Sequence, residues 1–267
     1  MAEFFLELFS EEVPASLQKN ARENILQSFK KLFEEKNLSF KKSLSHSVPN
    51  RLVILFEDLQ KQSIQQKEEI RGPNINSPDE ALNGFLKSNN LKKNEVFKKK
   101  TGKGEFYFFN KPEKIIETQE ILETNVPIIL NKISWKKSMR WGEFELNWAR
   151  PLKSILGIFD YKTLIFKFHH LQSSNVTFLD KEFESKTKKF NSFRTYHEYM
   201  KKLGIIIDNE RRKKFIENEL LKSSKKKNVF LDINKKLLDE VTDLVEKPNV
   251  IFCQFDKRFL EIPREIL

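Results

Sequence analysis

Between Trp135 and Arg150 the chain interleaves cations with large rings: Trp135-Lys136-Lys137-Ser138-Met139-Arg140-Trp141, then Trp148-Ala149-Arg150. Its three tryptophans all fall in this stretch. Lysines and arginines placed on phosphates release counterions, and aromatic rings stack on exposed bases, so this mixture suits a folded nucleic acid. The competing reading makes the tryptophans core anchors and leaves the charges facing water. Three further arginines stand beside turn-forming prolines: Arg51 after Pro49-Asn50, Arg71 before Gly72-Pro73, and Arg150 before Pro151. Each could hold a phosphate or brace a strand end. The candidate phosphate-contacting set is therefore Lys136, Lys137, Arg140, Arg150, Arg51 and Arg71. The runs Lys98–Lys100 and Lys225–Lys227 read as solvated surface with at most weak, non-specific affinity for RNA.

Catalytic constellations are missing from the sequence. There is no Walker loop, no G-x-G-x-x-G and no G-x-S-x-G, and Gly102-Lys103-Gly104 is too short to cradle phosphates. Glu11 and Glu12 are adjacent, so their side chains diverge, and a capping or helix-dipole role suits them better than acid–base work. His169 and His170 diverge for the same reason. Four histidines without paired spacing and the single Cys253 offer no metal cluster and no intrachain disulfide. The expectation is no catalytic and no metal-binding residue in this chain.

The 267 residues carry a net charge of +11, with 39% hydrophobic and 33% charged residues, 25 phenylalanines and 7 glycines. That composition supports a packed core with a well-solvated, basic surface, and speaks against disordered or fibrous classes. No apolar run approaches the roughly 20 residues that span a bilayer. Glu3 stands where a secretory leader would carry positive charge. A cytoplasmic protein is expected.

Periodicity places the elements. Phe4–Phe9 reads as a buried strand, Leu17, Ala21, Ile25, Phe29 and Leu32 mark one helix face, and Val53–Phe56 is a second strand. Arg71-Gly72-Pro73 signals a turn, Pro78 opens a short helix, Lys98–Gly104 makes a basic turn, and Glu105–Phe109 is a strand. A helix is predicted over Glu113–Ile133 with Pro127 as a kink or break, followed by strands at Leu152–Phe159 and Thr163–Phe168. Helices over Phe193–Leu203 and Asp208–Leu221, a lysine loop at Lys225–Lys227, a helix over Leu237–Val245 and a strand at Val250–Phe255 complete the pattern. The fold class is α+β, with lobes over 1–62 and 63–134 and a larger domain over 135–267.

Eight segments, in order along nearly the whole chain, resemble the beta subunit of the two-subunit bacterial glycyl-tRNA synthetase. Glu7-Leu8-Phe9-Ser10-Glu11-Glu12-Val13-Pro14-Ala15 is similar to that family's E-x-G-T-E-E-L-P-A start, and Val48-Pro49-Asn50-Arg51-Leu52 to its T-P-R-R-L. Arg71-Gly72-Pro73, Gly102-Lys103-Gly104-Glu105, Met139-Arg140-Trp141-Gly142 and Trp148-Ala149-Arg150-Pro151 follow in the family's order. Leu237-Leu238-Asp239-Glu240-Val241-Thr242-Asp243-Leu244-Val245-Glu246 and then Phe255 with Phe259-Leu260-Glu261-Ile262-Pro263-Arg264-Glu265 close the series. The chain departs from the pattern at Ser173–Phe178, where the family has a T-x-G-H-R-F-like stretch, and at Lys247, where it usually has Trp. Family members run far longer, so a fragment is expected, without the family's HD-type and anticodon-binding domains.

The resemblance implies a tRNA-handling part of glycine-tRNA ligase whose aminoacylation site lies on the alpha subunit. ATP and Mg2+ would be used there, with no cofactor in this chain. The implied partners are the alpha subunit, tRNA(Gly) and a second beta subunit in an alpha2beta2 assembly, with no membrane. It also implies that 135–267 is related to the editing-type domain of the phenylalanyl-tRNA synthetase beta subunit, although kinship of fold supplies no hydrolytic residues. A stand-alone RNA-binding or scaffold module is the alternative.

Overall fold

A computed structural model describes residues 1–65, 68–102, 104–179, 186–256, 258, 259 and 263. The elements are β1 (Ala2–Ser10), α1 (Ala15–Glu35), β2 (Lys42–Val48), β3 (Arg51–Leu59), β4 (Gln62–Gln65), β5 (Glu68–Asn74), α2 (Asp79–Ser88), β6 (Phe97–Thr101), β7 (Gly104–Lys111), β8 (Lys114–Glu117) and α3 (Thr118–Asn131). They continue with β9 (Leu152–Phe159), β10 (Lys162–Thr163), β11 (Lys167–Phe168), β12 (Leu171–Gln172), β13 (Val176–Phe178), β14 (Thr187–Lys189), α4 (Phe193–Lys202), α5 (Asn209–Lys227) and α6 (Lys235–Leu244).

The central sheet is antiparallel in the order β10-β9-β1-β3-β2. Three strands of the first span, 1–62, thus continue through β1 into two strands of the third, 135–267, in one hydrogen-bonded sheet. Phe4, Leu6 and Leu8 point to one face, where α1 and α3 pack through Ile25, Phe29, Phe33, Leu122 and Val126. Phe5 points to the other, against Tyr196 and Met200 of α4 with Ile205 and Ile207. Both faces are covered, which is why β1 reads as a continuous apolar run and not as an alternation. Phe4, Phe29, Phe33 and Phe56 meet edge to face, stacked or tilted with centroids 4.8 to 6.3 Å apart. Each such ring contributes about 1.5–3 kcal/mol by leaving water.

Between β4 and β8, which pair with each other, the chain makes an excursion: a sheet in the order β5-β7-β6, with α2 laid on it through Leu82, Leu86 and the Phe85–Phe109 contact.

Several expectations are corrected. Arg71-Gly72-Pro73 belongs to β5, and the ladder shifts register between Arg71 and Asn74, a place where proline's missing N–H is tolerated. The basic run Lys98–Lys100 is strand, paired with β7, and not the turn expected there. The helix expected from Glu113 begins at Thr118, because Ile115 and Ile116 pair with Ile64 and Ser63. Pro127 lies inside α3. Thr163–Phe168 is two short strands, not one. Lys225–Lys227 forms the last turn of α5, where cations complement the helix carbonyls, and Asn228 ends it at φ 51°. Residues 250–256 form no strand, and Ile251 and Phe255 stand exposed without a pairing edge. β2 had no apolar alternation to announce it. Lys103 and most of the Phe259–Glu265 motif lie outside the described residues.

Candidate nucleic-acid interface

The segment after α3 leaves the sheet and returns through one bridge. Met139 and Trp148 exchange backbone hydrogen bonds of 2.8 and 3.1 Å, closing Arg140–Asn147 into a loop. Trp148 is the anchor: it is 1% exposed and meets Trp135 and Phe168 edge to face at 5.1 and 5.8 Å. Trp135 and Trp141 are half-buried against the same core. The tryptophans therefore pin this stretch, leaving Lys136 and Lys137 exposed just before the bridge and Arg140 exposed at the first position of the loop. Among the described residues none of these three has an ion-pair partner, in contrast to Lys99 with Glu69 or Lys213 with Asp239. Cations without an internal counter-charge are the ones free to take phosphate.

Beside them lies a cluster that the sequence did not announce. Phe144 stacks on His170 with centroids 3.7 Å apart and planes at 9°. Trp141 closes on both rings edge-on, 6.4 Å from Phe144 and 5.8 Å from His170. Burial, then neighbouring His169, push the His170 imidazolium below its ordinary pKa, which favours a neutral ring. Phe144 and His170 are far apart in sequence, so no spacing rule could have joined them.

The other sequence candidates go elsewhere. Of the two readings weighed for Arg51, its surroundings are those of a brace: its guanidinium, 2% exposed, lies 3.0 Å from Glu7 and donates to Thr177 Oγ1 and the Phe178 carbonyl at 3.0 and 2.6 Å. It cannot reach a phosphate without leaving those acceptors. Burial opposes its charge most strongly, but the Glu7 carboxylate, Tyr196 and Glu246 together hold Arg51 above its usual range. Arg71 is exposed but lies on the separate three-stranded sheet, its guanidinium 3.5 Å over the Phe106 ring. Arg150 lines a cavity of about 450 Å3 with Phe9, Ser10, Glu11, Glu12, Asn50 and Lys153. Three family-like segments meet there: Ser10 N donates to Asn50 O, Glu11 N to Pro151 O and Val13 N to Pro49 O. Two carboxylates share that cleft, and Glu11 sits 3.7 Å from Lys153, so its sign is mixed. Lys136, Lys137 and Arg140 thus share one exposed stretch, Arg150 follows the Met139–Trp148 bridge that closes it, and Arg51 and Arg71 lie elsewhere, in the interior and on the three-stranded sheet.

A second buried cation, Arg212 of α5, donates to the carbonyls of Thr242, Ile206 and Ser47 at 2.7, 2.6 and 2.8 Å and faces Asp243 at 3.4 Å. Asp243 also meets Arg22 of α1 at 3.4 Å and accepts from Asn209 at 2.7 Å. These bonds tie α1, β2, α5 and α6 together. Among the described residues no group of three or more His, Cys, Asp or Glu could hold a metal ion, and no helix is long and apolar enough to cross a membrane.

The family described as glycyl-tRNA synthetase beta subunit matches residues 4–267. The glycine–tRNA ligase beta subunits of Rickettsia akari and Rickettsia prowazekii are each 36% identical over 267 residues, covering 100% of this chain and 40% of theirs. That of Rickettsia bellii is similar to the same extent. The chain spans about 40% of the length of these relatives, matching their amino-terminal portion.

Proposed function

This chain belongs to the glycyl-tRNA synthetase beta subunit family, and from that premise we propose that it serves glycine-tRNA ligase by binding and positioning tRNA(Gly). Glycine activation and transfer, with ATP and Mg2+, then belong to the alpha subunit, with which this polypeptide assembles as alpha2beta2 in the cytoplasm. The observation that supports the tRNA role is the tryptophan-pinned stretch that exposes Lys136 and Lys137 before the Met139–Trp148 bridge and Arg140 just inside it, without ion-pair partners among the described residues. Arg150 borders a mixed-sign cleft and contributes as a secondary contact. Along the chain, lobes 1–62 and 63–134 lead into 135–267, related to the editing-type domain of the phenylalanyl-tRNA synthetase beta subunit. β9 inserted beside β1 makes the first and third of these spans one body.

The test is a titration of tRNA(Gly) against the chain at several salt concentrations, with Lys136→Ala, Lys137→Ala and Arg140→Ala combined. Losing up to three phosphate contacts should flatten the slope of log affinity against log salt by about 2. An unchanged slope removes this stretch from the binding surface. Charging by this chain with the alpha subunit alone should be slight, and full charging would show that the essential parts are misassigned.

A further inference from the structure

We propose that Phe144, backed by His170 and Trp141, is a stacking platform for one unpaired nucleobase of an RNA strand whose backbone passes along Lys136, Lys137 and Arg140. The proposal rests on the RNA-binding reading above and adds the kind of RNA that is bound. Phe144 is 41% exposed although one face of its ring is covered by His170 at 3.7 Å. Its opposite face is therefore the open one. The ring is held there and is not a loose side chain: Met139 and Trp148 close the loop, Gly142 turns it at φ 54°, and Phe144 N donates to Trp141 O at 3.2 Å. Glycine is suited to that left-handed turn.

Charge decides the orientation of the strand. Glu143 and Glu145, both exposed, flank the ring and repel a phosphate at its own position. The unpaired cations lie on the 136–140 side, so the phosphates run there and the base reaches over Phe144. A paired duplex keeps its bases stacked on one another and offers no free face, whereas a single-stranded segment does. Every base has such a face, so the platform is tolerant of sequence.

Affinity of the chain is measured for an unstructured single-stranded RNA oligonucleotide and for a blunt RNA duplex with the same number of phosphates. Phe144→Leu should weaken single-strand binding about tenfold or more, leaving duplex binding and the salt slope unchanged. Phe144→Tyr should retain the parent affinity. Equal loss on both RNAs, or no loss on the single strand, overturns the platform while leaving the RNA reading standing. Failure of the unmodified chain to bind either RNA overturns both. Nuclear Overhauser contacts between base protons and the Phe144 ring in the unmodified chain test the same point without a variant. Their absence at saturation also overturns the platform.

Discussion

Arg51 Nη1 lies 3.0 Å from Glu7 Oε2, with both side chains withdrawn from water, and Thr177 donates its hydroxyl to the same carboxylate. The pairing follows from strand register. Arg51 opposes Phe9 across β1 and β3, so Glu7, two residues earlier on β1, is its diagonal neighbour on the same face. A charge on an otherwise apolar face is tolerated because its partner arrives with the adjacent strand.

Removing one partner leaves the other charge buried alone. Glu7→Gln or Arg51→Met should each lower unfolding free energy by about 3–5 kcal/mol, read from urea midpoints. The double variant should lose much less than the sum of the two. RNA affinity and its salt slope should be unchanged in whatever fraction remains folded. A flattened slope would return Arg51 to the binding surface.

Burial pushes the Arg212 guanidinium down to about 10, against the pull of Asp243. Asp243→Asn keeps the shape and an acceptor for Asn209 but deletes the counter-charge for both Arg212 and Arg22. A loss of about 3 kcal/mol is expected, with faster amide exchange in α5 and α6. Unaltered exchange there would mean that the carbonyls alone hold Arg212.

Gly72 has a packing reason. A Cβ there would come within 2.7 Å of Phe85 Cε1, so Gly72→Ala must push that ring of α2 away from β5. The cost should be about 1 kcal/mol, because the far end of a phenylalanine can give. Exchange should quicken in β5, β6 and β7 and stay slow in the central sheet.

His46 and His197 both have folded-state pKa values below the ordinary 6.5. For His46 the causes are burial first, then Arg22, Arg212 and His197, opposed by Asp208. For His197 they are burial, Arg211 and Lys201, opposed by Asp208 and Glu198. A depressed histidine contributes stability that is fully present above the unfolded value and is lost as pH falls through the folded one. Urea midpoints should therefore fall as pH drops below the ordinary histidine value of 6.5, and His46→Gln with His197→Gln should flatten that decline. Glu3, raised mainly by burial, has the opposite sign and gains as pH falls.

Sequence patterning was enough for β1, α1 and α4, because continuous or periodic apolar residues announce a core face wherever the neighbours lie. It found α6 but not its buried face, since Leu237 and Leu244 are exposed while Thr242 and Asp243 are buried. It also brought out the cation-rich tryptophan stretch, because composition is a local property. It missed β2, extended a helix over β8 and ended α5 early, since short polar strands gain their identity from the strand they pair with and a lysine run is compatible with helix or loop. Whether an arginine meets water or a buried acid could not be read from its flanking proline. Arg51 turned inward because register set Glu7 beside it, while Lys136, Lys137 and Arg140 stayed outside because Trp148 anchors the stretch that bears them. The Phe144–His170 stack and the Arg212–Asp243 pair each join residues at least 26 positions apart in the chain. Contacts at such separations come into being when the sheet and helices close on one another, so tertiary structure alone decided them.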